Sequence, residues 1–136
     1  MNPSKWIQAV LSEALPKRVF KDVVVSMPNW WVQHHITWNS VTGVDWENTM
    51  DDVRINVQLR VVAPNSDKAY SVSRQAIKTL RAAADASRVV DNVKIKAFDV
   101  IQLPVENFKL TAVKGVMDAQ VDSMVTMSFY ESWGAD

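Results

Sequence analysis

Between Asp52 and Ala84 the hydrophobic pattern changes period. Val53, Ile55, Val57, Leu59 and Val61 alternate with Arg54, Asn56, Gln58 and Arg60, the signature of a half-buried strand from Val53 to Val62. Ala63-Pro64-Asn65-Ser66 then makes a turn into an amphipathic helix over Asp67 to Ala84. On a helical wheel Ala69, Val72, Ala76, Ile77, Leu80, Ala83 and Ala84 share one face, and the alanines allow that face to approach a sheet closely. Arg74, Lys78 and Arg81 group beside it.

The flanking segments complete the pattern. Asn2 can cap a first helix with Pro3 in its first turn, and Trp6, Ile7, Val10, Leu11, Ala14 and Leu15 form its apolar stripe before Pro16 ends it. Val19 to Met27 is valine-rich and reads as a strand, Pro28-Asn29 as a turn, and Trp30 to Trp38 as a second β-prone segment. Asn39 to Met50, polar and containing Gly43, reads as a loop. Val93 to Ile101 and Val121 to Tyr130 read as strands, the latter with Val121, Ser123, Val125, Met127 and Phe129 on one side. Pro104 to Gln120 reads as a projecting hairpin or loop, with a short strand around Phe108 to Val113. The expected fold is α+β: a single, mostly antiparallel sheet flanked by two helices, in one domain spanning 1–136 with no internal repeat.

Composition narrows the class further. A chain of 136 residues that is 48% hydrophobic, with 3 glycines and 5 prolines, is expected to fold by burial and not to be disordered. Without cysteine it has no disulfide, thiolate nucleophile or thiolate metal site. No secretory segment is recognisable, and no apolar run approaches the roughly 18 residues of a membrane span, so a soluble protein without a membrane partner is expected. Charge balances at 15 basic and 15 acidic residues, but unevenly along the chain. Asp45, Glu47, Asp51 and Asp52 form an acidic run, Arg54 to Lys96 is mainly basic, and Ala97 to Asp136 is mainly acidic. Such asymmetry suits copies that meet head to tail, and equally suits the cover of one folded surface.

Little of this carries catalytic chemistry. His34 and His35 are adjacent, and in a strand they point to opposite faces, so they do not grip one ion. The acidic run lacks the glycine and spacing of a calcium loop, and Ser71, Ser73, Ser123 and Ser128 lie in no Gly-x-Ser-x-Gly elbow. Three scattered glycines build no phosphate or dinucleotide loop. No enzyme activity, cofactor or metal is expected. Tryptophan is the anomaly: of six, Trp30, Trp31, Trp38 and Trp46 cluster, and as a group they point to a subunit contact. Stacking on bases or sugars is the rival use, but the chain has neither a basic excess nor an RNA-binding signature. The Arg74, Lys78 and Arg81 edge can meet phosphate or an acidic neighbour, and Lys109 and Lys114 can face DNA in a channel.

The order of elements over nearly the whole chain resembles the tail terminator proteins of long-tailed bacteriophages, including minor tail protein U-like and tail-to-head joining proteins. Ser4 to Leu15, Val53 to Val62, Ala69 to Ala84 and Val121 to Tyr130 carry the resemblance, whereas Trp30 to Trp46 has no counterpart in it. It implies a structural virion protein that caps the tail tube as a hexameric ring, ends tube polymerisation and meets the neck or head completion protein. DNA then passes through the lumen without sequence-specific binding, and the protein assembles in the host cytoplasm. Within that ring Trp30, Trp31, Trp38, Trp46, Arg74, Lys78 and Arg81 are the expected subunit contacts, and Lys109 and Lys114 the expected tube- or lumen-facing residues. A neck or head-tail adaptor role uses the same ring logic. From other classes, a small α+β enzyme built on His34, His35 and the acidic run, or a carbohydrate-binding module using tryptophans, remain alternatives.

Overall fold

A computed structural model describes residues 2–22, 28–44, 50–107 and 119–132. Helix α1 (Pro3–Ala14) leads to β1 (Val19–Lys21), β2 (Trp31–Gly43) and β3 (Met50–Ala63), followed by helix α2 (Ser66–Asp85). The short β4 (Val89–Val90) and β5 (Val93–Lys94) precede β6 (Ala97–Asn107) and β7 (Ala119–Ser132). The main sheet has the order β1-β2-β3-β7-β6, antiparallel except for the parallel β1–β2 pair, and β4 with β5 forms a separate two-stranded ribbon. The fold is therefore α+β with a mostly antiparallel main sheet and two helices.

Local chemistry sets the helix limits. The Asn2 side chain accepts from Ser4 N–H at 3.0 Å and Pro3 fills the first turn of α1; Asn65 caps α2 by accepting from Lys68 N–H at 2.8 Å. At the far end of α2, Ser87 takes φ 56°, and Arg88 N–H bonds Ala83 C=O while Ser87 N–H bonds Ala84 C=O, a Schellman closure made without glycine. Asp91 and Asn92, both at positive φ, form the two-residue turn between β4 and β5, a geometry these two residue types tolerate.

The alternation of β3 faces inward as expected: Val53, Ile55, Val57, Leu59 and Val61 are all fully buried. They align with Val32, His34 and Ile36 of β2 on one side and Val121, Ser123, Val125, Met127 and Phe129 of β7 on the other. Helix α2 covers this face with Ala69, Val72, Ser73, Ala76, Ile77 and Leu80, and α1 adds Trp6, Ile7, Val10 and Leu11. The small Ala69, Ser73 and Ala76 let α2 lie close to the sheet. Trp6 Nε1 donates to Arg88 C=O at 3.0 Å, and the Arg88 guanidinium holds Glu13 at 2.5 Å, which keeps that carboxyl below the usual carboxylate range. These bonds tie α1 to the turn after α2.

Three expectations need correction. Asn39 to Gly43 continues β2, pairing through Gly43 with Asp51 after a bulge at Asn39, where the sequence suggested a loop. Both faces of the strand are exposed there, so the apolar alternation that marks a half-buried strand is absent. The segment read as a strand from Val93 to Ile101 breaks into β5 and β6, with Lys96 N–H bonded to Ser128 C=O at the junction. Pro104, read as the start of a projecting loop, lies inside β6; the strand is at the sheet edge, where a missing N–H costs no ladder bond, and its register shifts twice between Val100 and Val105. Of the valine-rich stretch only Val19–Lys21 is seen as strand, since 23–27 lies outside the described residues, as do 108–118 with the expected strand near Phe108 to Val113.

One polar group sits inside this core. His34, 1% exposed, lies on the helix-bearing face beside Leu59, and its Nε2 is 2.9 Å from Gln8 Oε1 on α1. Gln8 Nε2 donates to Ser12 Oγ and Val19 C=O, so its Oε1 accepts from His34 Nε2–H and His34 Nδ1 is left buried without a partner. Burial pushes the imidazole from 6.5 down to about 4, against a smaller upward pull from Asp22, with Lys21 adding slightly to the depression. The folded-state value lies below the unfolded one, so the stability tied to neutral His34 is complete above pH 6.5 and drains as pH falls toward 4. In urea unfolding the wild type should lose about 3 kcal/mol over that window that His34→Gln does not lose. An equal loss in both proteins would place the acid sensitivity elsewhere.

Candidate functional site

Two places on the helix-bearing side of the sheet leave apolar side chains uncovered. The first follows from the edge position of β6. Leu103 is 73% exposed beside α2 and Ile101 is exposed next to it, whereas Val105, registered with Asp122, is exposed on the opposite face. Between β6 and α2 runs a groove of about 450 Å³, floored by Ile77, Val100, Leu103 and Pro104, closed at one end by Tyr70 and rimmed by Arg74, Lys78 and Arg81. Tyr70 Oη accepts from Glu106 N–H at 3.2 Å and Ser66 Oγ donates to Glu106 Oε1 at 2.7 Å, fastening the start of α2 to the end of β6. Arg81 is held over the Phe98 ring at 5.5 Å. Arg74 and Lys78 make no ion pair among the described residues.

The second place is the far end of the β2–β3 hairpin. Trp38 and Val41 are exposed there, with Val44 and Met50 exposed on the opposite face, and Trp38 packs edge-to-face on Phe129 at 6.4 Å between centroids. Trp38 and Val41 register with Ile55 and Val53, so both stand on the helix-bearing face. With β3 and β7 between β2 and β6, the two places are about 14 Å or more apart across the sheet.

The expected contact residues thus separate. Arg74, Lys78 and Arg81 come together on the groove, and Trp38 stands apart on the hairpin. Trp30 is half-buried, with the Arg18 guanidinium 4.1 Å and the Lys68 ammonium 4.6 Å from its ring centre. Trp31 is half-buried and donates from Nε1 to Gln33 Oε1 at 2.9 Å. Both rings already have partners inside the chain. Trp46, Lys109 and Lys114 lie outside the described residues.

The groove's apolar floor was not among the expected site residues. Its signal is visible in retrospect: Phe98 and Val100 keep one phase of alternation and Ile101 and Leu103 take the other, which matches the first shift in register; the second shift turns Val105 to the opposite face.

The opposite face of the sheet is polar. Arg60 Nε donates to Asp122 Oδ1 at 3.1 Å, and Asn107 and Gln120 donate to Asp122 Oδ2, which satisfies a carboxylate that is 7% exposed. A shallow recess of about 220 Å³ involves Asp22, Gln33, His35, Gln58 and Arg60, with His35 Nδ1 2.7 Å from Asp22 Oδ1. His34 and His35 point to opposite faces, one buried and one exposed. Asp52 of the acidic run pairs with Lys96 at 3.0 Å, and no group of three or more metal-ligating side chains is found among the described residues. Ser73, Ser123 and Ser128 are buried and lie within hydrogen-bond reach of no base, and Ser71 is exposed on α2.

No protein-family profile and no curated protein matches the chain. Solved structures do match. One, of a protein designated only by a serial identifier, aligns over 95% of this chain and 96% of its own, with TM-score 0.51 and 15% identity, a likeness of fold alone.

The groove leucine lies outside the core, so Leu103→Ser should change the free energy of unfolding in urea by less than about 1 kcal/mol. Trp6→Ala, emptying a fully buried site, should cost about 3–5 kcal/mol. A comparable loss for both would make the groove floor part of the folding core.

Proposed function

We propose that the protein is a structural component of a bacteriophage virion that caps the tail tube, ends its polymerisation and forms the tail side of the head-tail joint as a ring of six copies. The observation that carries this reading is the pairing of two features. The element order over nearly the whole chain resembles tail terminators, and the sheet leaves apolar surface uncovered at two separated places on one face. Two unlike uncovered surfaces on one subunit suit a repeating lateral contact.

In this reading the partners are further copies of the chain, the tube protein on one side of the ring and the neck or head completion protein on the other. DNA passes through the centre without sequence-specific contacts. Lys109 and Lys114, in the segment of sequence linking β6 to β7, are assigned to the tube- or lumen-facing side.

Native mass across a concentration series, with negative-stain imaging, should reveal a six-fold ring with a central hole, and the ring should bind the ends of tail tubes. Replacing Trp38 and Trp46 together with alanine should weaken assembly more than it lowers the unfolding midpoint of the monomer. Unaltered assembly in that variant would remove the tryptophans from the contact, and selective binding to portal complexes over tube ends would move the protein to the neck.

A further inference from the structure

We propose that the groove between α2 and β6 seats an acidic amphipathic helix supplied by another protein, which completes the helical layer over the sheet. The inference goes beyond the ring reading and does not rest on it; with the groove so filled, copies meet through the hairpin end and the polar face.

The vacancy follows from the spacing of the elements. Helices packed side by side lie about 8–10 Å apart and neighbouring strands about 4.8 Å apart, so each helix roofs about two strands. On the helix-bearing face α1 packs on β1 and beside α2, and α2 packs on β3 and β7 and reaches the near side of β6. The next position in the layer, over the outer side of β6, holds no helix among the described residues. Leu103 stands there exposed, with Val100 and Pro104 half-buried beside it. The flank of α2 that lines this trough is itself a helix-packing stripe: Tyr70, Arg74, Ile77, Lys78 and Arg81 fall at i, i+4, i+7, i+8 and i+11, one side of a helix. It runs for about 16 Å, or about three helical turns.

Backbone geometry selects a helix over a strand as the occupant. A strand added to a sheet edge needs a continuous row of N–H and C=O groups, and β6 shifts register twice between Val100 and Val105 and carries Pro104 in the stretch that lines the trough. A helix satisfies its own backbone and asks only for side-chain contact. Charge selects its chemistry. Arg74, Lys78 and Arg81 make no ion pair among the described residues, and Glu106, on the same face of β6, is engaged by Ser66 at the closed end. An apolar floor beside three cations fits a helix whose apolar stripe is flanked by Asp or Glu. A second copy offers no such helix, because α1 and α2 both turn their apolar stripes onto their own sheet and α2 would bring a basic flank to a basic rim.

The probe is a fluorescein-labelled synthetic peptide of about 14 residues, with leucines on one helical stripe and glutamates beside them, titrated with the full chain by anisotropy. It should bind at least about tenfold more tightly than a peptide of the same composition with the leucine spacing scrambled, and less tightly as salt rises. Leu103→Ser should weaken it about tenfold, and the Arg74→Glu/Lys78→Glu variant should prefer a version of the peptide with lysines in place of the glutamates. Circular dichroism of both variants should match the wild type.

No binding of the glutamate peptide at hundredfold protein excess, equal binding of the scrambled peptide, or unchanged affinity in Leu103→Ser would overturn the proposal. A single-stranded DNA oligonucleotide that binds more tightly than the peptide and is lost in Arg74→Glu/Lys78→Glu would give the rim to nucleic acid, and rings that the peptide dissolves would give the groove to a second copy. Rings that persist with the peptide bound uphold the proposal and the ring together. Peptide binding by a chain that forms no ring at any concentration upholds the proposal and removes the ring.

Discussion

A mismatch of lengths governs the surface of this protein. A helix of 20 residues is about 30 Å long, and a strand of 14 residues reaches about 46 Å. Helix α2 begins just after β3 ends and runs back along it, so it covers the part of the sheet nearest Ala63 and leaves the Met50 end without a helical roof. Val93 of the β4–β5 ribbon and Ile95 join the same core cluster as Val53 and Phe129, both fully buried. Beyond them Trp38 and Val41 remain about half exposed on the helix-bearing face. The uncovered hairpin is therefore a consequence of element lengths, which persists whatever the side chains at its tip.

The parts legible in the sequence are those with one wet face and one dry face. β3, β7 and α2 declare themselves because burial on one side forces a period on the residues, and their inward sets match the alternation and the wheel almost residue for residue. Ser73, buried among the alanines, is the exception, since a hydroxyl gives no hydrophobic signal. Where both faces are exposed, as from Asn39 to Gly43, the strand is held by its backbone ladder and the side chains are under no such constraint. Edge position hid the rest of β6, because a proline that would break a central strand is tolerated at an edge. The candidate contact surface was half legible for the same reason: its charged rim follows from the helix, and its apolar floor belongs to the edge strand.

The uneven charge along the chain turns out to be partly an internal device. Lys96 bonds Asp52, Arg60 bonds Asp122 and Arg88 grips Glu13, each joining segments far apart in sequence. Other cations lie on aromatic faces: Arg18 and Lys68 on Trp30, Arg81 on Phe98, Lys96 on Tyr130. Such contacts order the long side chains while leaving their charge in place, so the basic flank of α2 keeps its field. Arg74, Lys78 and Arg81, none with an ion pair among the described residues, all line the groove beside the uncovered leucine.

The irregular course of β6 has a bearing on aggregation. An exposed leucine on a straight, fully hydrogen-bonding outer strand is a seed for cross-β aggregation, because any passing strand can add to it. The bulged backbone and Pro104 deny such a strand its continuous row of partners across the same stretch that carries Ile101 and Leu103. The edge can then carry exposed apolar side chains without the continuous row of hydrogen-bonding groups on which amyloid nucleates.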